Sequence, residues 1–291
     1  MVALEITKLM ALMERTSGSP DVKIGLIDGP VMTRHPDLSR ERLHEVPGHH
    51  GGACTRANSA ACLHGTFVAG ILSARRGSSA PAICPGCTLL IRSLFIEGAA
   101  GGDRMPSATP RELAAAIVDC IDAGAQVINL SLALTRSSST GERSLEEAVD
   151  RATRRGVIVV AAAGNQSTIG SSALTRHPWV IPVAACDLRG RPLSDSNFGG
   201  SIGRRGLTAP GAAITSLRAE GQTVTLGGTS VAAPFVTGTI ALLWSEFPAA
   251  PAARIMLAVT GRSGPRRASV VPPLLDAEAA YQSLLRRNAR R

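Results

Sequence analysis

The chain has 291 residues, 44% of them hydrophobic, which is enough to bury one sizeable core, and no Pro/Ser-rich linker or internal repeat divides it. Lys and Arg outnumber Asp and Glu by 31 to 22, for a net charge of +9, yet aromatic residues make up only 3% and offer little on which to stack bases, which argues against a nucleic-acid partner. No stretch reaches the eighteen or so apolar residues that a membrane span requires, so the reading is a soluble, cytoplasmic chain with no membrane partner.

In chain order, Met1 to Met13 shows apolar residues (Leu4, Leu9, Leu12) near helical spacing, interrupted by Glu5 and Lys8. This predicts a short helical extension over residues 1–20 and lacks the long apolar core and small-residue cleavage site of a secretion signal. Residues 22–28 read as a buried strand that ends on a carboxylate, Asp28. Next come Cys54 and Cys62 around a short loop, then His64-Gly65-Thr66-Phe67-Val68-Ala69-Gly70, a histidine at the start of a small-residue helix. Cys84-Pro85-Gly86-Cys87 brackets a turn. Two local disulfides are one reading of these four cysteines, a redox pair at Cys84 and Cys87 another, and a zinc set of His49, His50, Cys54 and Cys62 a third whose spacing fits no familiar closed site. Cys120 and Cys186 fall on an apolar helix face and at a strand end, as buried thiols do.

Apolar runs rich in Val, Ile and Leu recur at 88–94, 126–131, 157–162 and 179–185, alternating with helical patterns. That alternation predicts an α/β fold with a mainly parallel sheet covered by helices on both faces. Thr109-Pro110-Arg111-Glu112 is a capping box and Gly124 ends its helix; Ser144-Leu145-Glu146-Glu147 reads as a second box, closed by Gly156. Ligands of such sheets bind beyond the carboxyl ends of the strands. Asp28, Ser131 and Gly164-Asn165 all lie at such ends and can converge. Finally, Gly227-Gly228-Thr229-Ser230-Val231-Ala232-Ala233-Pro234 leads into an apolar helical run, placing Ser230 at a turn whose backbone N–H groups are unpaired. A serine there is a nucleophile only with a base and a group to orient that base. The last 91 residues hold eleven arginines, no lysine and four acids, and Arg286, Arg287, Arg290 and Arg291 form a basic tail over 286–291 that reads as solvated.

The order Asp28, His64, Ser230, in the contexts Asp-Gly, His-Gly-Thr-Phe-Val-Ala-Gly and Gly-Thr-Ser-Val-Ala-Ala-Pro, resembles the subtilisin-like serine proteases (subtilases), over about residues 20–285. The resemblance implies a three-layer subtilisin-like fold with a catalytic domain at 21–285, and hydrolysis of peptide bonds through an acyl-enzyme with no cofactor. It makes Ser230 the nucleophile, His64 the base and Asp28 its orienting group. Asn165, after Ala161-Ala162-Ala163-Gly164, takes the place of the side-chain donor to the oxyanion. Ser131-Leu132-Ala133 takes the place of the segment that pairs with an extended substrate, beside a pocket formed with Ala162, Ala163 and Gly164. Ala133 stands where the family usually has glycine.

Many subtilases bind calcium with an aspartate like Asp37 and a loop after the histidine helix. Here that loop is Ser73-Ala74-Arg75-Arg76-Gly77-Ser78-Ser79, with two positive charges and no carboxylate, and no metal is expected. Secreted subtilases carry a folding propeptide, whereas about twenty residues precede the first strand. Asp28-Gly29-Pro30-Val31, Ile83-Cys84-Pro85-Gly86-Cys87 and Ser196-Asn197-Phe198-Gly199 are similar to subtilases of ribosomal-peptide pathways, such as the cyanobactin maturation proteases, which implies a precursor peptide as partner. A general proteolytic subtilase and a non-catalytic peptide-binding relative are the alternatives.

Overall fold

Because each central strand is apolar on both sides, it needs a helical layer on each face, and the computed structural model, which describes residues 2–48, 54–95, 97, 108–132, 142–261 and 269–288, has that arrangement. The strands are β1 (Lys23–Asp28), β2 (Leu43–Glu45), β3 (Thr88–Ser93), β4 (Val127–Leu130), β5 (Ile158–Ala162), β6 (Val180–Cys186) and β7 (Leu207–Pro210), with a separate antiparallel hairpin of β8 (Ile214–Arg218) and β9 (Gln222–Leu226). The seven pair in the order β2-β3-β1-β4-β5-β6-β7, all parallel. The order reverses direction at β1, between β3 and β4. Asp28 therefore ends the strand at the switch point, where open parallel sheets leave a crevice.

The helices are α1 (Val2–Ile6), α2 (Leu9–Arg15), α3 (Ala60–Ser73), α4 (Pro110–Asp122), α5 (Glu142–Arg155), α6 (Ala173–Arg176), α7 (Gly200–Arg205), α8 (Thr229–Glu246), α9 (Ala252–Thr260) and α10 (Ala277–Asn288). Successive strand residues point to opposite faces. Ile158 and Val160 join the core under α3 and α8, while Val159 and Ala161 join the one under α4 and α5. Helix α8 has no polar face over Val231–Trp244, since it lies between the sheet, α3 and α9. None of the helices among the described residues is long and apolar enough to cross a membrane.

Several details differ from the sequence reading. The N-terminal pattern makes two helices, broken at Lys8 (φ 52°), whose ammonium pairs with Asp276 at 2.6 Å; Leu9 and Leu12 are fully buried in the main core. Helix α5 begins at Glu142, so Ser144 lies inside it, and Glu147 pairs with Arg143 one turn back instead of closing a cap. Helix α10 continues through Arg286 to Asn288. Cys54 and Cys62 are bonded to each other, which leaves no thiolate for zinc, and His49 and His50 lie outside the described residues. Cys84 and Cys87 are separate thiols, both wholly buried, and exchange needs a thiolate that an oxidant can reach. Burial pushes Cys120 and Cys186 up to about 12, which makes them inert packing residues.

The Asp37 carboxylate accepts from Arg75 at 2.9 Å, and the Arg75 backbone N–H donates to the Asp37 carbonyl at 2.7 Å. The Arg75 guanidinium thus neutralises the Asp37 carboxylate, and a loop that brings two positive charges and no carboxylate does not fit a calcium ion. Calcium is expected to leave the melting temperature unchanged in a thermal-shift measurement, and Arg75→Ala to cost under about 1 kcal/mol because the pair is exposed. A calcium-dependent rise of several degrees would contradict this account.

Candidate active site

The site begins where two backbones cross without side chains between them. A Cβ on Gly29, just after β1, would lie 2.0 Å from the Ala61 carbonyl oxygen, and one on Gly65 would lie 2.3 Å from that of Gly29. Glycine at both positions lets α3 sit directly on the end of β1. Ser59 caps α3 by accepting from the Cys62 N–H at 3.1 Å, the Cys54–Cys62 disulfide ties the preceding loop to the first turn, and Glu97 accepts from Thr55, Arg56 and Ser59. The cap sets the helix start at Ala60, so His64 is in the second turn, later than the start of the helix where the sequence put it.

There the His64 Nδ1 lies 2.7 Å from Asp28 Oδ1, which also accepts the Gly29 N–H at 2.6 Å. The carboxylate is 1% exposed and its Oδ2 has no hydrogen-bond partner among the described residues. With Nδ1–H donating to the carboxylate, Nε2 is the accepting nitrogen, and it stands 3.0 Å from Ser230 Oγ. Burial lowers the imidazole pKa, but the charge and hydrogen bond of Asp28 outweigh it and hold it above the ordinary 6.5.

Ser230 lies in the first turn of α8, after Gly228 at φ +120°. Its own carbonyl would normally accept from the residue four further on, but that residue is Pro234, which has no N–H. The Ser131 hydroxyl donates to this carbonyl instead, at 2.8 Å. Ser131 in turn accepts from Asn129 Nδ2 at 2.7 Å, and Asn129 Oδ1 accepts from Thr237 at 2.8 Å. The end of β4 is thereby bound to α8 at two places, one of them the nucleophile's own peptide. Asn129 and Thr237 were missed in the sequence; a proline four residues after Ser230 was the signal that a donor had to come from elsewhere.

Asn165 follows β5. Its Oδ1 accepts the Thr229 N–H at 2.9 Å, while the Thr229 hydroxyl accepts the Gly164 N–H at 3.1 Å. Since the oxygen is committed to Thr229, the Nδ2 donors are left beside the turn at Gly228, next to Ser230. Ala162 and Ala163 are buried small residues between the strand end and this turn, and Leu132 is 9% exposed beside Ser131. Ala133 lies outside the described residues. Chemically, the arrangement offers a hydroxyl with a hydrogen-bonded base, a carboxylate fixing the tautomer of that base, and an amide donor near the start of a helix. That set can make and break an acyl bond.

The subtilase family model matches residues 19–266. A thermophilic serine proteinase of Bacillus sp. (strain AK1) is 34% identical over 236 residues, covering 79% of this chain and 54% of that protein. The chain spans about half the length of the first curated relatives it matches. Among solved structures, prenylagaramide maturation protease PagA superposes with a TM-score of 0.81 at 26% identity, covering 95% of this chain and 98% of that one. Patellamide maturation protease PatA gives 0.75 at 30% identity, with 92% and 98% covered.

Gly65→Ala is expected to destabilise the protein by about 3 kcal/mol in denaturant titration, because the backbone of Gly29 cannot retreat from the new methyl; an unchanged midpoint would contradict the crossing. The raised His64 pKa has opposite consequences for stability and base strength. The charged pair adds stability below the unfolded imidazole's pKa and loses it as pH climbs through the folded value, the interval in which the neutral base appears. The His64 titration, followed by NMR in Ser230→Ala protein, is expected above 6.5 and to move down in Asp28→Asn, where only burial remains. An unmoved midpoint would contradict the assigned cause.

Proposed function

The chain belongs to the subtilase family, and on that premise we propose that it is a serine endopeptidase that works through an acyl-enzyme on a ribosomally made precursor peptide. The observation that carries the reading is the continuous contact from Asp28 through His64 to Ser230, at 2.7 and 3.0 Å. Ser230 Oγ attacks the scissile carbonyl carbon while His64 Nε2 takes its proton. Asp28 holds the tautomer and stabilises the imidazolium. The oxyanion is met by the Asn165 amide and the N–H groups at the start of α8. The imidazolium then protonates the departing amine, and water repeats the sequence in reverse to free the enzyme.

Substrate class rests on different support. PagA and PatA are maturation proteases by name, and their likeness extends over nearly the whole chain. The motifs Asp28-Gly29-Pro30-Val31 and Ser196-Asn197-Phe198-Gly199 point the same way. An extended peptide would lie along the segment from Ser131, with its side chain before the cut against Ala162, Ala163 and Gly164. The general proteolytic reading is supported by the likeness to the Bacillus proteinase.

Ser230→Ala is expected to abolish peptide cleavage and keep the wild-type melting temperature. Asn165→Ala should lower kcat about a hundredfold or more with little change in KM, the magnitude found for the equivalent loss in subtilisin itself; full activity would remove Asn165 from the oxyanion site. Digestion of a peptide library, read by mass spectrometry, should give cuts confined to one sequence context, whereas broad cleavage together with casein digestion would favour general proteolysis.

A further inference from the structure

The segment carrying Asn165 has little of its own to hold it. Residues 165–170 are exposed, and Gly164 and Ser167 have φ of +105° and +52°. The left-handed region is unfavourable for serine, so its neighbours must impose it. The Asp195 carbonyl accepts the Ser167 N–H at 3.0 Å, the Phe198 N–H donates to the Thr168 carbonyl at 2.9 Å, and the Asn197 side chain holds the residues on either side of Ser167. Its Oδ1 accepts from the backbone N–H of Gln166 at 3.0 Å and of Thr168 at 3.1 Å. Its Nδ2 donates to the Ala163 carbonyl at 3.1 Å and to Gln166 Oε1 at 2.7 Å. Both lone pairs and both N–H groups of the amide are therefore in use, and no other side chain of this length has that set. Two backbone donors on one atom and a carbonyl on the other also fix which end is the oxygen.

The clamp is itself anchored. The Asn197 backbone N–H donates to the Gly164 carbonyl at 2.9 Å, and the adjacent Ser196 hydroxyl, 1% exposed, accepts from the Ala185 N–H of β6 at 3.0 Å. A Cβ on Gly164 would come within 2.3 Å of Asn197 Nδ2, so glycine leaves the space the amide occupies. Contact thus runs without a break from the sheet through Ser196 and Asn197 to the turn at 163–168, and from Asn165 to the Thr229 N–H beside the nucleophile.

We propose that Asn197 is a positioning residue that sets the Asn165 amide at the oxyanion position, an inference that rests on the oxyanion role proposed above. Asn197 touches neither Ser230 nor His64 and acts through Asn165. Asn197→Asp keeps the two accepting bonds but sets a carboxylate oxygen against the Ala163 carbonyl and Gln166 Oε1, and Asn197→Ala loses all four bonds, so both should release the turn.

The test is a double-mutant cycle between Asn197→Ala and Asn165→Ala, read as the rate of phosphonylation of Ser230 by a fluorophosphonate. Asn197→Ala and Asn197→Asp should each slow labelling tenfold or more. In the Asn165→Ala background, Asn197→Ala should cost less than a further twofold, because the donor it positions is already gone. Independent, multiplying losses would overturn the proposal, as would wild-type labelling by Asn197→Ala. If Asn197→Ala melts below the assay temperature, Asn197→Asp carries the same cycle. An Asn165→Ala protein that labels at the wild-type rate would instead strike the oxyanion reading, which separates the two failures.

Discussion

The crossing of Gly29 over α3 is the constraint on which the rest of the site depends. A carboxylate at a strand end and an imidazole 36 residues later meet at 2.7 Å because neither backbone has a side chain to hold the other away. Once that contact exists, the buried carboxylate sets the tautomer, raises the base strength of the imidazole and turns its second nitrogen toward α8. Sheet topology contributes the location: β1 lies at the reversal of strand order, where β3 and β4 diverge and leave room beyond its end.

The nucleophile side is built on a deliberate gap in a helix. Pro234 withholds a donor from the Ser230 carbonyl, and Ser131 supplies it from β4, backed by Asn129 and Thr237. Buried carbonyls demand a partner, so the missing helical bond becomes a bond between layers. The serine is then fixed relative to the sheet that carries Asp28, instead of relative to its own helix alone. On the opposite side, Thr229 donates its N–H to Asn165 and accepts the Gly164 N–H at its hydroxyl, which joins α8 to the turn after β5.

Much of this was legible in the sequence, for identifiable reasons. The five strands read from 22–28 to 179–185 are runs rich in Val, Ile and Leu and buried on both faces, and all five are present within a residue or two. The short β2, β7 and the half-exposed hairpin of β8 and β9 carry no such run and were not read. The capping box at Thr109 formed, whereas the one at Ser144 did not, because the helix had already started at Glu142. His64 was placed a turn too early because the Ser59 cap sits behind a disulfide loop with no apolar period. Asp28, His64 and Ser230 were visible through their glycines and order. Asn129, Thr237 and the Asn197 clamp were not, since their partners are distant in sequence and only packing brings them together.

One measurement addresses the central claim directly: trapping of the acyl-enzyme with an activated ester, p-nitrophenyl acetate, followed by mass spectrometry of the digested protein. The account predicts a single acetyl group, on the peptide containing Ser230, that forms in the native protein, is lost on standing and does not form in His64→Ala. Peptide cleavage by a protein that never acquires the acetyl group, or an acetyl group on another residue, would contradict it.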